Sequence, residues 1–279
     1  MLTGIKISCL DAINELKRWF RAFNRVGIML SGGVDSTTLL AVAVEVLGNH
    51  NVIAVTVASP VHHSKDLDDA KRYCDLLNVR HVVIEAPELM NIEEFARNDL
   101  MRCYYCKKFM VSKILSSIKD VDVFIEGTNA DDVRYDFRPG YKAIKEFKQL
   151  IRSPYIELSI SKECIRSIAK SLGLDIHDKP PNSCLATRIP YGSRITLDLI
   201  NRIRNAEDYL IKLGFQVVRV RVHGDMARIE VGIDEMPRLI EYEVRSGIIR
   251  YVKSLGFKYV VLDLEGYRSS GGTLVSSDQ

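Results

Sequence analysis

The chain predicts an α/β fold, a parallel sheet covered by helices and followed by a smaller α+β C-terminal domain. Three observations lead there. Short apolar runs at residues 26–30, 51–58, 80–85 and 121–125 alternate with segments of helical spacing, the pattern of strands buried on both faces. A glycine-rich turn, Ser31-Gly32-Gly33-Val34-Asp35-Ser36, follows directly on the first run. After Pro190-Tyr191-Gly192 the character changes, and the expected division is a first domain over 1–190 and a second over 191–279.

Residues 11–25 carry apolar side chains at helical spacing and predict a leading helix. The strand at 26–30 and the glycine turn lead into a helix over 37–47 that stops at Gly48. A β-branched strand (51–58), a helix (66–77), a strand (80–85) and a helix (107–118) follow. The strand at 121–125 opens into Glu126-Gly127-Thr128-Asn129-Ala130-Asp131-Asp132. A helix over 161–172 starts at Ser161, and residues 178–182, with Pro180 and Pro181, break the pattern as an exposed or active-site loop. Beyond residue 191 come a helix (197–213), a hairpin (216–223 and 227–231) around Gly224-Asp225, a helix (235–255) and a strand (258–262). The Ser- and Gly-rich tail after Gly266 is expected to be mobile.

At 279 residues and 47% hydrophobic composition the chain can bury a sizeable core. Its net charge of +3 is small and forms no long basic run, so broad nucleic-acid binding is not expected. No apolar run reaches the ~18–20 residues that span a bilayer, and the N-terminus has no signal-peptide pattern. A cytoplasmic location follows as the expectation, with all six cysteines reduced.

Ligands of parallel sheets bind beyond the carboxyl ends of the strands, and the glycine turn, residues 56–60 and residues 126–132 all fall there. In the turn, Gly32 and Gly33 let backbone N–H groups approach an anion closely, and the following helix N-terminus adds its dipole. The absence of a Gly-Lys-Ser/Thr ending excludes a Walker loop. The stretch resembles the SGGxDS motif of the PP-loop ATP pyrophosphatases. That resemblance implies ATP bound by Ser31, Gly32, Gly33, Val34, Asp35 and Ser36, cleaved between its α- and β-phosphates. Gly127, Thr128 and Asn129 would lie near the nucleotide, Asp35 would organise Mg²⁺ or pyrophosphate, and Asp131 and Asp132 would be within reach of the metal.

Cys103 and Cys106 form a C-x-x-C at the start of a helix, and Cys184 stands apart in Ser183-Cys184-Leu185-Ala186-Thr187-Arg188. Three thiolates suit a [4Fe-4S] cluster with one open iron better than a four-ligand zinc site. Cys9, Cys74 and Cys164 read as small buried or incidental side chains. Trp19 and His62-His63 read as structural or solvated, with no chemistry assigned.

In combination these segments, with Arg138-Pro139-Gly140, Asp178-Lys179-Pro180 and residues 184–192 and 219–231, resemble the LarE-type sulfur transferases of nickel-pincer nucleotide biosynthesis. The resemblance implies ATP- and Mg²⁺-dependent adenylation of a pyridinium-3,5-dicarboxylate mononucleotide, then displacement of AMP by sulfur. Some members of the family sacrifice the sulfur of the cysteine matching Cys184. Three-cysteine members hold a [4Fe-4S] cluster fed by a sulfide donor, and Cys103, Cys106 and Cys184 match that kind. A homo-oligomer is implied as well. Arg219 and Arg221, two apart on a strand, emerge on one face and could bind the substrate phosphate; the resemblance adds Glu207 and Glu230 to that pocket, and Arg188 is a further candidate. The competing reading is a tRNA thiolase, which shares the loop and would need a basic RNA-binding face. An ammonia-using ligase would have no use for the three cysteines, and a nucleotide-sensing or metal-storage protein would not turn ATP over.

Overall fold

The computed structural model describes residues 9–133, 138–180 and 182–268. The chain splits into two compact units, Met1–Leu89 with Leu100–Lys179 and Met90–Asp99 with Pro180–Gln279. Residues 180–190, which the sequence groups with the first domain, thus cluster with the second, as do residues 90–99. The physical reason is Asn98, buried at φ 59°. Its side-chain amide donates to the carbonyls of Ile189, Pro190 and Ser193 at 3.3, 2.8 and 2.9 Å, and its own carbonyl accepts from Gly192 N at 3.0 Å.

The first unit is built on a five-stranded sheet in the order β3-β2-β1-β4-β5. Its strands are β1 (Val26–Met29), β2 (Val52–Ala58), β3 (Arg80–Glu85), β4 (Val123–Ile125) and the two-residue β5 (Ile151–Arg152). Every neighbouring pair is parallel. The order turns back on itself between β1 and β4, which is where open α/β sheets form their ligand crevice.

The helices of this unit are α1 (Cys9–Phe20), α2 (Val34–Leu47) and α3 (Ser64–Leu76), then, past the one-turn α4 (Glu93–Ala96) of the other unit, α5 (Arg102–Ser117), α6 (Pro139–Lys145), α7 (Pro154–Glu157) and α8 (Lys162–Ser171). One core cluster joins α1, α2 and α8 to the sheet through Leu16, Leu39, Val42, Ile165 and Ile168. A second holds Val111 and Ile114 of α5 with Phe124 and Ile53. Helix α2 is buried nearly all round over its first ten residues, as expected of a helix enclosed by other elements. It begins three residues earlier than the sequence predicts, so Val34, Asp35 and Ser36 form its first turn.

One expectation about the cysteines is overturned. Cys9 and Cys164 are joined in a disulfide, with Cα atoms 4.9 Å apart across 155 residues. They are neither reduced nor incidental, because α1 and α8 pack together and bring the first turns of both helices into register. Cys74 is buried as expected, and burial pushes its thiol up to about 12, leaving it protonated and inert.

The second unit contains α4, α9 (Leu197–Lys212), the antiparallel pair β6 (Val218–His223) and β7 (Met226–Val231), the short α10 (Met236–Leu239), α11 (Tyr242–Ser254) and β8 (Tyr259–Leu262), which joins β7 in parallel. The single helix expected over 235–255 is broken, since Glu241 adopts an extended conformation between α10 and α11. Along the hairpin Val218, Val220, Val222, Ala227, Ile229 and Val231 are buried on one face. Arg219, Arg221, Arg228 and Glu230 alternate with them, the period-2 pattern of a strand. No helix among the described residues is long and apolar enough to cross a membrane. The tail expected to be mobile lies almost wholly outside the described residues.

Candidate active site

Strand β1 delivers the chain into the glycine turn. Gly32 takes φ +73°, and a Cβ there would lie 1.9 Å from the Asp66 carbonyl oxygen on α3, so only glycine fits. Gly33 caps α2, and its carbonyl accepts the first helical bond from Thr37 N at 3.1 Å. The turn is braced by its own hydroxyls. Ser36 Oγ accepts from Ser31 N at 3.1 Å and lies 3.0 Å from Ser31 Oγ, to which Gly33 N donates at 3.4 Å. The first N–H groups of α2 have no helical acceptor, which makes this end of the helix a cradle for an anion.

The segment after β4 closes against this cradle. A Cβ on Gly127 would lie 3.2 Å from both Asp35 Cβ and Ser36 N, so a bare glycine is what permits the approach. Buried Glu126 organises the rest: it accepts from Thr128 N at 3.1 Å, from Thr128 Oγ1 at 2.6 Å, and from Ser153 Oγ. Asn129 is buried, and its Oδ1 accepts from Asp131 N and Asp132 N at 3.0 and 3.1 Å.

Asp35 is the chemical centre of the loop. Burial pushes its carboxyl above the ordinary aspartate range, Lys162 pulls it back, and Asp132 adds repulsion. Its Oδ2 accepts from Lys162 Nζ at 2.5 Å, while Oδ1 is buried with no hydrogen bond from the described residues. Mg²⁺ takes one or two carboxylates and completes its shell with phosphate and water. An orphaned carboxylate oxygen with a second carboxylate near enough to repel it fits that ion. Tyr155, fully buried, donates to the Asp35 carbonyl at 3.0 Å and is held protonated by burial. Sequence reasoning missed Lys162 and Tyr155; only the place of Lys162, next to the cap residue Ser161, could have drawn attention to it.

Cys103 and Cys106 lie in the first turns of α5, which begins at Arg102 rather than near residue 107. At i, i+3 spacing they share one helical face. Cys103 is exposed, Cys106 is half-buried, and neither is in a disulfide. Gly140 of α6 passes over this turn, its Cβ position 3.9 Å from Cys103 Cβ. Tyr104 turns away to donate to Glu146 at 2.6 Å, and its ring meets that of Tyr105 edge-on at 5.3 Å. Among the described residues no three His, Cys, Asp or Glu side chains gather as a metal-binding group.

The remaining predicted residues all belong to the second unit, where they meet around β6. Cys184, half-buried, caps the single turn Leu185–Arg188. Arg188 is fully buried and makes a two-point pair with Glu207 of α9, Nε to Oε1 at 2.8 Å and Nη2 to Oε2 at 3.2 Å. Its Nη1 reaches back to Ser183 O, Ser183 Oγ and Thr187 Oγ1 at 3.0, 2.8 and 2.8 Å. Arg188 therefore moulds the turn that carries Cys184. Glu207 also accepts from Val220 N at 2.8 Å. Arg221 pairs with Glu230 at 2.5 Å and donates to Thr187 O at 3.1 Å. Arg219 lies over the Tyr267 ring, 5.0 Å from its centroid, and burial, helped by nearby Arg188, lowers its pKa. Tyr267 escaped the sequence reading because it stands outside any recognisable motif.

The asparagine synthase family matches residues 14–157. A pyridinium-3,5-bisthiocarboxylic acid mononucleotide synthase of Lactiplantibacillus plantarum is 34% identical over 268 residues, 95% of this chain and 92% of that protein. The chain belongs to the LarE-type family of PP-loop sulfur transferases. It is accordingly an ATP-dependent sulfur transferase. Uncharacterized proteins of Synechocystis sp. and Methanocaldococcus jannaschii are 38% and 31% identical, each over 92% of this chain and 95% of their own length.

Proposed function

We propose that the protein activates a carboxylate of a pyridinium-3,5-dicarboxylate mononucleotide with ATP and converts it to a thiocarboxylate, once for each carboxylate. The reading is carried by one observation: an anion cradle at the N-terminus of α2 stands beside Asp35, a carboxylate with one buried oxygen unclaimed. The relative in L. plantarum named for the bisthiocarboxylic acid product supports the choice of substrate.

The chemistry follows from the leaving groups. A substrate carboxylate oxygen attacks the α-phosphorus of ATP, and the bond to the bridging oxygen breaks, releasing pyrophosphate. The N–H groups of residues 32–36 bind the departing anion, and Asp35 would hold Mg²⁺, which when bound would supply charge neutralisation at the phosphates. A hydrosulfide then attacks the acyl carbon, and AMP leaves with the former carboxylate oxygen. Arg219 and Arg221 bind the phosphate of the substrate, with Arg188, Glu207 and Glu230 shaping the pocket. Desolvation and repulsion between buried Arg219 and Arg188 favour an anion there.

For the sulfur, the reading assigns Cys103, Cys106 and Cys184 as ligands of a [4Fe-4S] cluster, which when bound would offer an open iron to a hydrosulfide from a separate donor. Cys103 and Cys106, exposed or half-buried on one face of α5 and outside any disulfide, support it. Sacrifice of the Cys184 sulfur is the second reading, favoured by Arg188, which braces the Cys184 turn through Ser183 within the second unit. The working form is taken to be a cytoplasmic homo-oligomer. The test is anaerobic reconstitution followed by iron and acid-labile sulfide analysis, with AMP and pyrophosphate measured against the dicarboxylate nucleotide. Iron and sulfide bound by the wild type and lost in Cys103→Ala and Cys106→Ala support the cluster. Dehydroalanine at position 184 after one turnover, seen by mass spectrometry, supports sacrifice. No nucleotide-dependent AMP formation would sink both.

A further inference from the structure

We propose that Lys179 is a positioning residue that sets the anion-binding face of the glycine loop, a role that rests on the loop holding pyrophosphate. Lys179 closes the first unit just before Pro180 and is far from the loop in sequence. Its ammonium carries three protons, and three acceptors meet them. The carbonyl oxygen of Gly32 lies at 2.9 Å, Asp66 Oδ1 at 2.9 Å and Asp69 Oδ2 at 2.7 Å.

The contact with Gly32 matters because of peptide geometry. The chain has no cis peptide bonds among the described residues, and in a planar trans peptide the C=O and the next N–H point in opposite directions. Fixing the Gly32 carbonyl toward Lys179 therefore aims the Gly33 N–H to the other side, where among the described residues it meets only the long 3.4 Å contact with Ser31 Oγ. That leaves it available to an anion. Glycine makes the fixing necessary. Gly32 has no side chain to hinder a flip of this peptide, and a flip would present an oxygen to the phosphates in place of a donor.

The lysine is itself held. Arg166 of α8 donates to the carbonyl of Lys179 at 2.9 Å and to that of His177. Asp66 and Asp69 sit on α3, whose first turn also abuts Gly32 through the Asp66 carbonyl. The side chain is 18% exposed and both aspartates are nearly as covered. So dry a charge needs all of its partners, which fixes the ammonium in place.

The test measures binding of inorganic pyrophosphate, ATP and AMP by calorimetry in wild type, Lys179→Met and Lys179→Arg. AMP lacks the phosphates that reach the loop, so a correctly oriented peptide matters to two of the three ligands. The expected result for Lys179→Met is about tenfold weaker pyrophosphate and ATP binding, unchanged AMP binding, and part of the loss recovered in Lys179→Arg. Equal weakening of all three ligands, or no weakening of any, overturns the proposal. If Lys179→Met does not fold, Asp69→Asn, which removes one of the negative charges holding the ammonium and keeps the lysine, is expected to shift pyrophosphate and ATP in the same sense by a smaller factor; no shift there overturns the proposal too. Wild-type protein that binds ATP but not pyrophosphate would instead refute the loop reading on which the proposal stands.

Discussion

The glycine loop of the first unit and the Cys184 turn of the second are both short, both polar and both organised by buried charge, yet they balance that charge differently. Around the loop Asp35 keeps one oxygen buried and unclaimed, and the first amides of α2 have no helical acceptor. In the Cys184 turn the guanidinium of Arg188 spends its donors on Glu207, Ser183 and Thr187. An incomplete shell is built to be completed by a ligand. A complete one holds a backbone shape, here the shape that presents Cys184.

The sharpest way to break the comparison is to remove Arg188. Arg188→Met leaves Glu207 buried without its ion partner, which costs about 3–5 kcal/mol. The loss should be confined to the second unit. Trp19, the single tryptophan, lies in the first unit, so its fluorescence transition should hold while amide protection in β6 and β7 collapses by hydrogen exchange. Adding Glu207→Leu should recover most of the stability, because the apolar pair leaves no buried charge. A fluorescence transition that falls in step with the exchange would show that the turn is not a self-contained device.

Asp35→Asn tests the other side. An incomplete shell predicts a loss of function without a loss of stability. Pyrophosphate release should drop about a hundredfold or more. The melting temperature should stay level or rise, because burial already holds the carboxyl above its ordinary range and its ionised form carries a desolvation cost. For the same reason ionisation of Asp35, and with it metal binding, should set in at a higher pH than for an exposed aspartate. A variant that melts early while still releasing pyrophosphate would make Asp35 a structural residue.

Much of the first unit was legible in the sequence because its strands are covered on both faces and read as continuous apolar runs. β3 falls on residues 80–85 as expected, and β1, β2 and β4 differ only at their ends. The two-residue β5 gave too short a signal to see. The break at Glu241 was hidden because the helical periodicity runs on through α10 and α11. At the loop the glycines and Asp35 can be read as candidates, because their types are dictated by backbone geometry and chemistry close by in the chain. The sequence concealed Lys162, Tyr155 and Lys179, which act on the loop from 120 or more residues away. The Cys9–Cys164 bond was hidden for the same reason, since nothing local marks a contact across 155 positions.

His62 offers a subtler separation of the two units, through acid. Burial lowers its pKa from 6.5 to about 4, with Lys107 and His63 lowering it further and Asp66 opposing them. Its Nδ1 faces Ser59 Oγ at 3.1 Å. Between pH 6.5 and 4 the unfolded chain takes up a proton that the folded one refuses, so stability contributed by neutral His62 is present above that window and drains away as pH falls through it. The loss should amount to about 3 kcal/mol and be seen in the Trp19 transition of the first unit. His62→Gln should flatten that part of the profile while leaving exchange in β6 and β7 untouched.

The smallest expected effect comes from the fit around Gly127. Gly127→Ala would put a methyl group 3.2 Å from Asp35 Cβ and Ser36 N, tight enough to push the β4 segment off the cradle by a few tenths of an ångström but not to unfold it. If the unclaimed oxygen of Asp35 works only while Gly127 lets the two segments close, the apparent KM for ATP should rise about threefold to tenfold. The turn at Cys184 makes no use of that closure, so its amide protection should not change. An alanine accepted at full ATP affinity would mean that the cradle has slack, and that Asp35 rather than the fit around it selects the nucleotide.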